Sequence, residues 1–129
     1  MSFVTRLRND APDAIAPDGS EVRILANTAR GSMAEFLLPH GKISIAVAHN
    51  TVEEVWFFTQ GQGQLWRKNE QAEEIVQIRP GLSISIPVGT HFQFRNDGTE
   101  NLIAIGTTMP PWPGPDEAII VKGIWPSSF

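Results

Sequence analysis

The chain has 129 residues, which at roughly 150 residues per domain predicts one domain with one core. A hydrophobic share of 41% is that of a folded globular protein, and 10 Lys and Arg against 14 Asp and Glu leave nucleic acid and anionic membrane without the basic footprint they need. Cysteine is absent, which excludes disulfides, thiolate metal sites and cysteine nucleophiles, so any metal must rest on His and carboxylate. Residues 1–20 hold the turn-type clusters Asn9-Asp10, Ala11-Pro12-Asp13 and Ala16-Pro17-Asp18-Gly19-Ser20 and are predicted to form an N-terminal arm. From residue 21 onward the apolar runs are short and bounded by Gly, Pro and Asn, as strands are. They fall at 22–25, 33–38, 43–49, 55–59, 63–67, 74–78, 82–86, 92–95 and 102–105, and none reads as a long helix. Alternation is cleanest where Leu82, Ile84 and Ile86 share one face and Ser83 and Ser85 the other. Gly61-Gln62-Gly63 joins two runs as a hairpin does. The prediction is an all-β sandwich or barrel over residues 21–129, with a Pro-rich C-terminal extension. No apolar run approaches the ~20 residues of a membrane-spanning helix, and no signal-peptide core follows Met1, so a cytoplasmic protein is expected.

The turn grammar is more specific. Gly41, His49, Glu54 and Gly61 keep the spacing G-x5-H-x-H-x4-E-x6-G, with Val47 at the first His position. Gly81, Pro87, Gly89 and Asn96 keep G-x5-P-x-G-x2-H-x3-N, with Phe92 at the His position. The chain thereby resembles the cupin superfamily, over just under half its length and without gaps. The resemblance implies a jelly-roll barrel, the double-stranded β-helix. It also implies a metal held by three His and one Glu, at positions that here read Val47, His49, Glu54 and Phe92. Two of those four side chains have no lone pair to give. His91 lies one residue before the last ligand position, Phe92, at a strand entrance whose facing the turn Pro87-Val88-Gly89-Thr90 leaves open. Two readings follow: a metal set of His49, Glu54 and His91 holding one divalent ion (Fe, Mn, Ni or Zn), or a His91 that bonds a neighbouring turn.

The resemblance implies that Glu54, at a motif position, faces inward, and period two then places Trp56 and Phe58 on the same face and Glu53, Val55 and Phe57 on the other. A carboxyl beside aromatic walls is desolvated, which suits Glu54 to general acid or base catalysis; the alternative is a structural polar pair with His49 or Arg67. His49, Trp56, Trp66, Phe92 and Gln64 are the expected ligand-binding residues, the rings stacking on a ligand and the polar groups orienting it. The segment Thr108-Met109-Pro110-Pro111-Trp112-Pro113-Gly114-Pro115-Asp116 reads either as a lid bearing Trp112 or as a rigid crossover, and as no central strand. The apolar tail beyond it, Ala118-Ile119-Ile120-Val121 and Ile124-Trp125, is expected to dock on the barrel or on a second subunit.

No nucleophile elbow, phosphate loop or zinc-protease motif occurs. Three functions stay open: a homodimeric cupin binding a small organic ligand in its barrel cavity; a metal-dependent isomerase, lyase or dioxygenase acting on a small sugar-like or keto-acid substrate; or a filled barrel that works by association alone.

Overall fold

The computed structural model describes residues 2–129, which fold into eleven strands and one short 3-10 helix. The strands are β1 (Ala14–Ile15), β2 (Glu21–Asn27), β3 (Ser32–Leu38), β4 (Val47–His49), β5 (Glu53–Gln60), β6 (Gly63–Lys68), β7 (Glu73–Ile78), β8 (Ser83–Ile86), β9 (His91–Asn96), β10 (Leu102–Met109) and β11 (Ala118–Ile120), with the 3-10 turn at Pro115–Glu117. They form a six-stranded sheet in the order β1-β2-β3-β10-β5-β8 and a five-stranded sheet in the order β11-β4-β9-β6-β7, with antiparallel neighbours. Strands adjacent in sequence repeatedly fall in opposite sheets, the jelly-roll arrangement that the motif spacing implied.

Each of the nine predicted runs contains a strand. The run at 43–49 is strand only from Val47 onward. There the Ser44 amide still donates to the Phe94 carbonyl, 2.9 Å, but the return bond from the Phe94 amide goes to Ser44 Oγ, 3.0 Å, in place of a carbonyl, and the Ile45 amide turns to the Asp18 carbonyl, 2.8 Å. The arm is ordered through β1, which pairs with β2, and through Arg8, whose Nε donates to both Glu35 carboxylate oxygens at 2.8 and 2.9 Å.

Alternation along β5 sends Glu54, Trp56 and Phe58 inward and leaves Glu53, Val55 and Phe57 exposed, as expected. Between the sheets these rings meet Leu38, Val47, Leu65, Ile84, Ile86, Phe92 and Phe94 in one core. β10 lies centrally between β3 and β5 and includes Thr108 and Met109, which the sequence reading assigned to the irregular Pro-rich segment. Pairing persists until Pro110, the first residue there without an N–H to give. Gly106 on this strand is where Trp56 crosses: a Cβ there would stand 2.6 Å from the Phe36 ring and 2.8 Å from the indole.

The tail docks on its own barrel. β11 pairs with β4, and residues 121–129 then cross the outer face of the five-stranded sheet. Gln93, 1% exposed, holds that crossing: its amide donates to the carbonyls of Ser44 and Trp125 and accepts from the amides of Ile124 and Trp125, at 2.9 to 3.1 Å. No helix among the described residues is long and apolar enough to cross a membrane.

Candidate functional site

At one end of the core, polar groups gather where the packing is otherwise aromatic. His49 ends β4 and Glu54 is the second residue of β5, and the loop between them brings His49 Nδ1 to 3.4 Å from Glu54 Oε1. Thr108 on β10, paired in register with Glu54, donates its hydroxyl to Glu54 Oε2 at 2.6 Å. The loop is shaped by Glu117, whose carboxylate accepts the amides of Asn50 and Thr51 and the Thr51 hydroxyl. Trp112, carried back over the barrel end by the Pro-rich segment, sets its ring edge-on against His49 with 5.2 Å between centroids; its amide donates to Ser32 Oγ at 3.0 Å. Of the two readings of that segment, crossover and lid, the structure shows one piece of chain in both places.

Burial dominates the electrostatics. Desolvation pushes the Glu54 carboxyl up to about 7; the Thr108 hydrogen bond opposes this and the nearby Asp18 charge adds to it. Desolvation holds His49 down to about 4 against the pull of Glu117. Near neutrality the favoured state is thus a neutral imidazole beside a carboxyl poised between its two forms. His49 Nδ1 and Trp56 Nε1 are buried and lack a hydrogen-bond partner. The indole N–H comes near enough to Glu54 to favour the carboxylate without reaching hydrogen-bond geometry.

Four expected residues are therefore together: His49, Glu54, Trp56 and Phe92, the last with its ring 5.3 Å from the imidazole and 5.7 Å from the indole. The expected open cavity among them is filled, because Trp56 also packs edge-on against Phe94 and Phe58 and all four residues are 5% exposed or less. Two clefts, of about 500 and about 140 Å³, lie elsewhere, the larger between Phe3 of the arm and Met33, the smaller at Arg67 and Thr90.

Trp66 and Gln64 do not join the cluster. Leu65 faces the core, so both neighbours face outward; Trp66 pairs across with Gln93, and its Nε1 donates to Glu73 at 2.9 Å. Arg67 reaches the Ser85 carbonyl and the Glu74 carboxylate, and Glu54 is held by Thr108 in its place. His91 is the first residue of β9, in register with Ala48 and Lys68, and Phe92 beside it points into the core, so His91 takes the outer face. The set His49, Glu54 and His91 does not come together, and no cluster of three His or acidic side chains suited to a metal occurs among the described residues. With carbon at Val47 and Phe92, two donors remain, and these residues do not fit a cupin metal.

Three contributors escaped the sequence reading. Thr108 carried no signal, since its partner is 54 residues away and only strand register joins them. Asp18 read as a turn residue; it is buried, accepts from the Ser20 amide and hydroxyl, and has its own pKa raised by desolvation. Glu117 stands with Asp116 between the Pro-rich segment and the apolar tail, where an acidic pair reads as solvated.

No family model matches the chain. It is similar to the uncharacterized protein MJ1618 of Methanocaldococcus jannaschii, 31% identical over 111 residues that span 82% of this chain and 86% of that one. Among solved structures it superposes on an uncharacterized conserved protein with a double-stranded β-helix domain from Klebsiella pneumoniae, with TM-score 0.67 and 13% identity over 92% of this chain and 91% of that one. It also superposes on the cupin domain of Schizosaccharomyces pombe Cnp3, with TM-score 0.63 and 12% identity over 70% and 64%. A third match is the capsular polysaccharide assembling protein CapF of Staphylococcus aureus, with TM-score 0.67 and 15% identity over 95% of this chain but 32% of CapF. Strand order, motif spacing and these likenesses agree: the chain has the double-stranded β-helix fold of cupin domains and belongs to one family with MJ1618.

Proposed function

We propose that this cupin binds a small, uncharged, ring-bearing organic molecule at His49, Glu54 and Trp56, in the place that the Trp112 indole occupies. The observation that carries this reading is the pair of unsatisfied nitrogens, His49 Nδ1 and Trp56 Nε1, that flank the Glu54 carboxyl inside an apolar core. A buried polar group without a partner costs about 1–3 kcal/mol, so a polar atom delivered by a ligand gains more here than at the surface. Trp112 is 36% exposed, so a ring of similar shape that displaces it inherits the edge-on contact with His49. Glu54, with a pKa near neutrality, gives or takes a proton from such a ligand, and this is its role if turnover occurs.

The test is chemical rescue. Trp112→Gly vacates the position, and indole or nicotinamide added at millimolar concentration should raise its melting temperature while leaving Trp112→Gly/His49→Ala unchanged. No shift with either probe overturns the reading.

A second reading, self-association, rests on a separate observation. Val55, Phe57 and Met33 stand 40–49% exposed on the outer face of the six-stranded sheet, and the arm presents Phe3 and Leu7 fully to solvent. An apolar surface of this kind fits a second copy of the chain. Light scattering should show a dimer that Phe57→Glu converts to monomer; a monomeric parent protein refutes it.

A further inference from the structure

Two buried charged side chains clamp the N-terminal arm onto the outer face of the six-stranded sheet. Arg23 on β2 and Glu35 on β3 are paired in register on that face. Glu35 accepts from Arg8 Nε at 2.8 Å, and Arg23 donates to the carbonyls of Asn9 and Asp10 at 3.1 and 2.7 Å. Ahead of this clamp Val4 is half-buried, whereas Phe3 is 102% and Leu7 92% exposed, the alternation of an extended chain with its odd residues turned away from the sheet. The clamp therefore presents a short ridge, Phe3, Thr5 and Leu7, whose two large apolar side chains bury almost nothing against their own chain.

Beside the arm the same face supplies a floor of matching chemistry. On β10, Thr107 lies in register between Met33 of β3 and Val55 of β5, and Ile105 is paired with Phe57, so the floor spans three strands, about 10 Å at roughly 4.8 Å per strand. Met33, Val55 and Phe57 stand roughly half exposed, and the larger cleft, about 500 Å³, opens between them and the start of the arm at Phe3 and Val4. These ridge and floor side chains carry no charge, so pressing them together strips water from no ion. Because Phe3 and Leu7 turn away from their own sheet, the floor they can reach is that of another copy.

We propose that two copies pair face to face about a two-fold axis, each laying its Phe3-to-Leu7 ridge on the Met33, Val55 and Phe57 floor of the other. This rests on the self-association reading given above and adds which segment fills which surface. A fully exposed Phe or Leu side chain offers roughly 150–200 Å², and half of each of three floor side chains brings the uncharged area to roughly 600 Å² per copy. A two-fold axis uses every contact twice, so the pair buries roughly 1,200 Å², which reaches the range of specific interfaces. The clamp lowers the cost of docking, since an arm already held in place at Arg8 gives up less conformational freedom than a loose one.

The absence of cysteine makes the contact open to cross-linking. Leu7→Cys and Val55→Cys, made as separate full-length chains, mixed and treated with a short bismaleimide, should give a covalent heterodimer. Leu7→Cys mixed with Ile75→Cys should give none, since Ile75 is as exposed as Val55 but lies on β7 of the other sheet. Sedimentation equilibrium reads the affinity: Phe3→Ser/Leu7→Ser should raise the dimer dissociation constant about a hundredfold, with an unchanged circular dichroism spectrum because neither side chain is part of the core. A dimeric parent whose dissociation constant the double variant leaves untouched, or cross-linking no better to Val55→Cys than to Ile75→Cys, would overturn the arm exchange and leave a sheet-to-sheet dimer standing. A parent that stays monomeric at millimolar concentration would overturn both.

Discussion

His49 and Glu54 are displaced by burial in opposite directions, and the resulting pH dependence is open to direct measurement. His49 moves from its ordinary 6.5 to about 4 and Glu54 from 4.5 to about 7, so each spans roughly 2.5 pH units. For His49 the unfolded chain holds the proton between pH 4 and 6.5 while the folded chain does not. Its contribution to stability is therefore present above 6.5 and lost as pH falls through about 4. For Glu54 the folded chain holds the proton between 4.5 and 7 while the unfolded chain has released it, so its contribution is present below 4.5 and lost as pH rises through about 7. At about 1.4 kcal/mol per pH unit, the two slopes cancel between pH 4.5 and 6.5 in the intact pair. Replacing one member uncovers the other. His49→Gln should lose about 3 kcal/mol, relative to the parent protein, as pH rises from 4.5 to 6.5, and Glu54→Gln should gain about 3 kcal/mol over the same window. Urea unfolding followed by tryptophan fluorescence at pH 4.5, 5.5 and 6.5 reads both, and differences from the parent remove every other titration. Curves for either variant that run parallel to the parent would show that the residue it replaces is not displaced by burial, and the reasoning would fail.

Other consequences follow from single contacts. Gln93→Leu should leave the carbonyls of Ser44 and Trp125 and the amides of Ile124 and Trp125 without partners, lowering stability by about 2–4 kcal/mol and exposing the tail beyond Val121 to limited proteolysis; an intact, protected tail would count against Gln93 as its anchor. Gly106→Ala should cost about 1–3 kcal/mol and shift Trp56 emission, because the added Cβ meets the Phe36 and Trp56 rings; unchanged emission would contradict that contact. Adding Mn, Fe, Ni or Zn to chelator-treated protein should leave its melting temperature unchanged, since two donors remain where the fold family uses four; a stoichiometric stabilisation lost in His49→Ala would overturn the donor count.

The strands were legible because their signal is local. Motif spacing chose Glu54 over Glu53 as the inward carboxyl, period two then grouped Trp56 and Phe58 with it, and the two motif spacings carried the jelly-roll assignment. Trp66 and Gln64 were chosen as a stacking ring and a polar group with no facing argument, and the register of β6, with Leu65 in the core, sends both to the outer face, where Trp66 is nonetheless buried and paired across from Gln93. His91 could not be oriented until β9 was seen to begin at that residue, which sets it opposite Phe92.

By itself, then, the sequence determined an all-β chain of short strands and, through the motif spacing, the jelly roll, the inward face of β5 and the carbon side chains at two of the four ligand positions, since each depends on residue type and short-range spacing. Tertiary structure alone decided that Thr108 and not Arg67 holds Glu54, that Trp112 closes over His49, and that the barrel is packed and not hollow. Those outcomes depend on strand register between distant segments and on side-chain volumes meeting in three dimensions. Neither quantity is written in any local pattern.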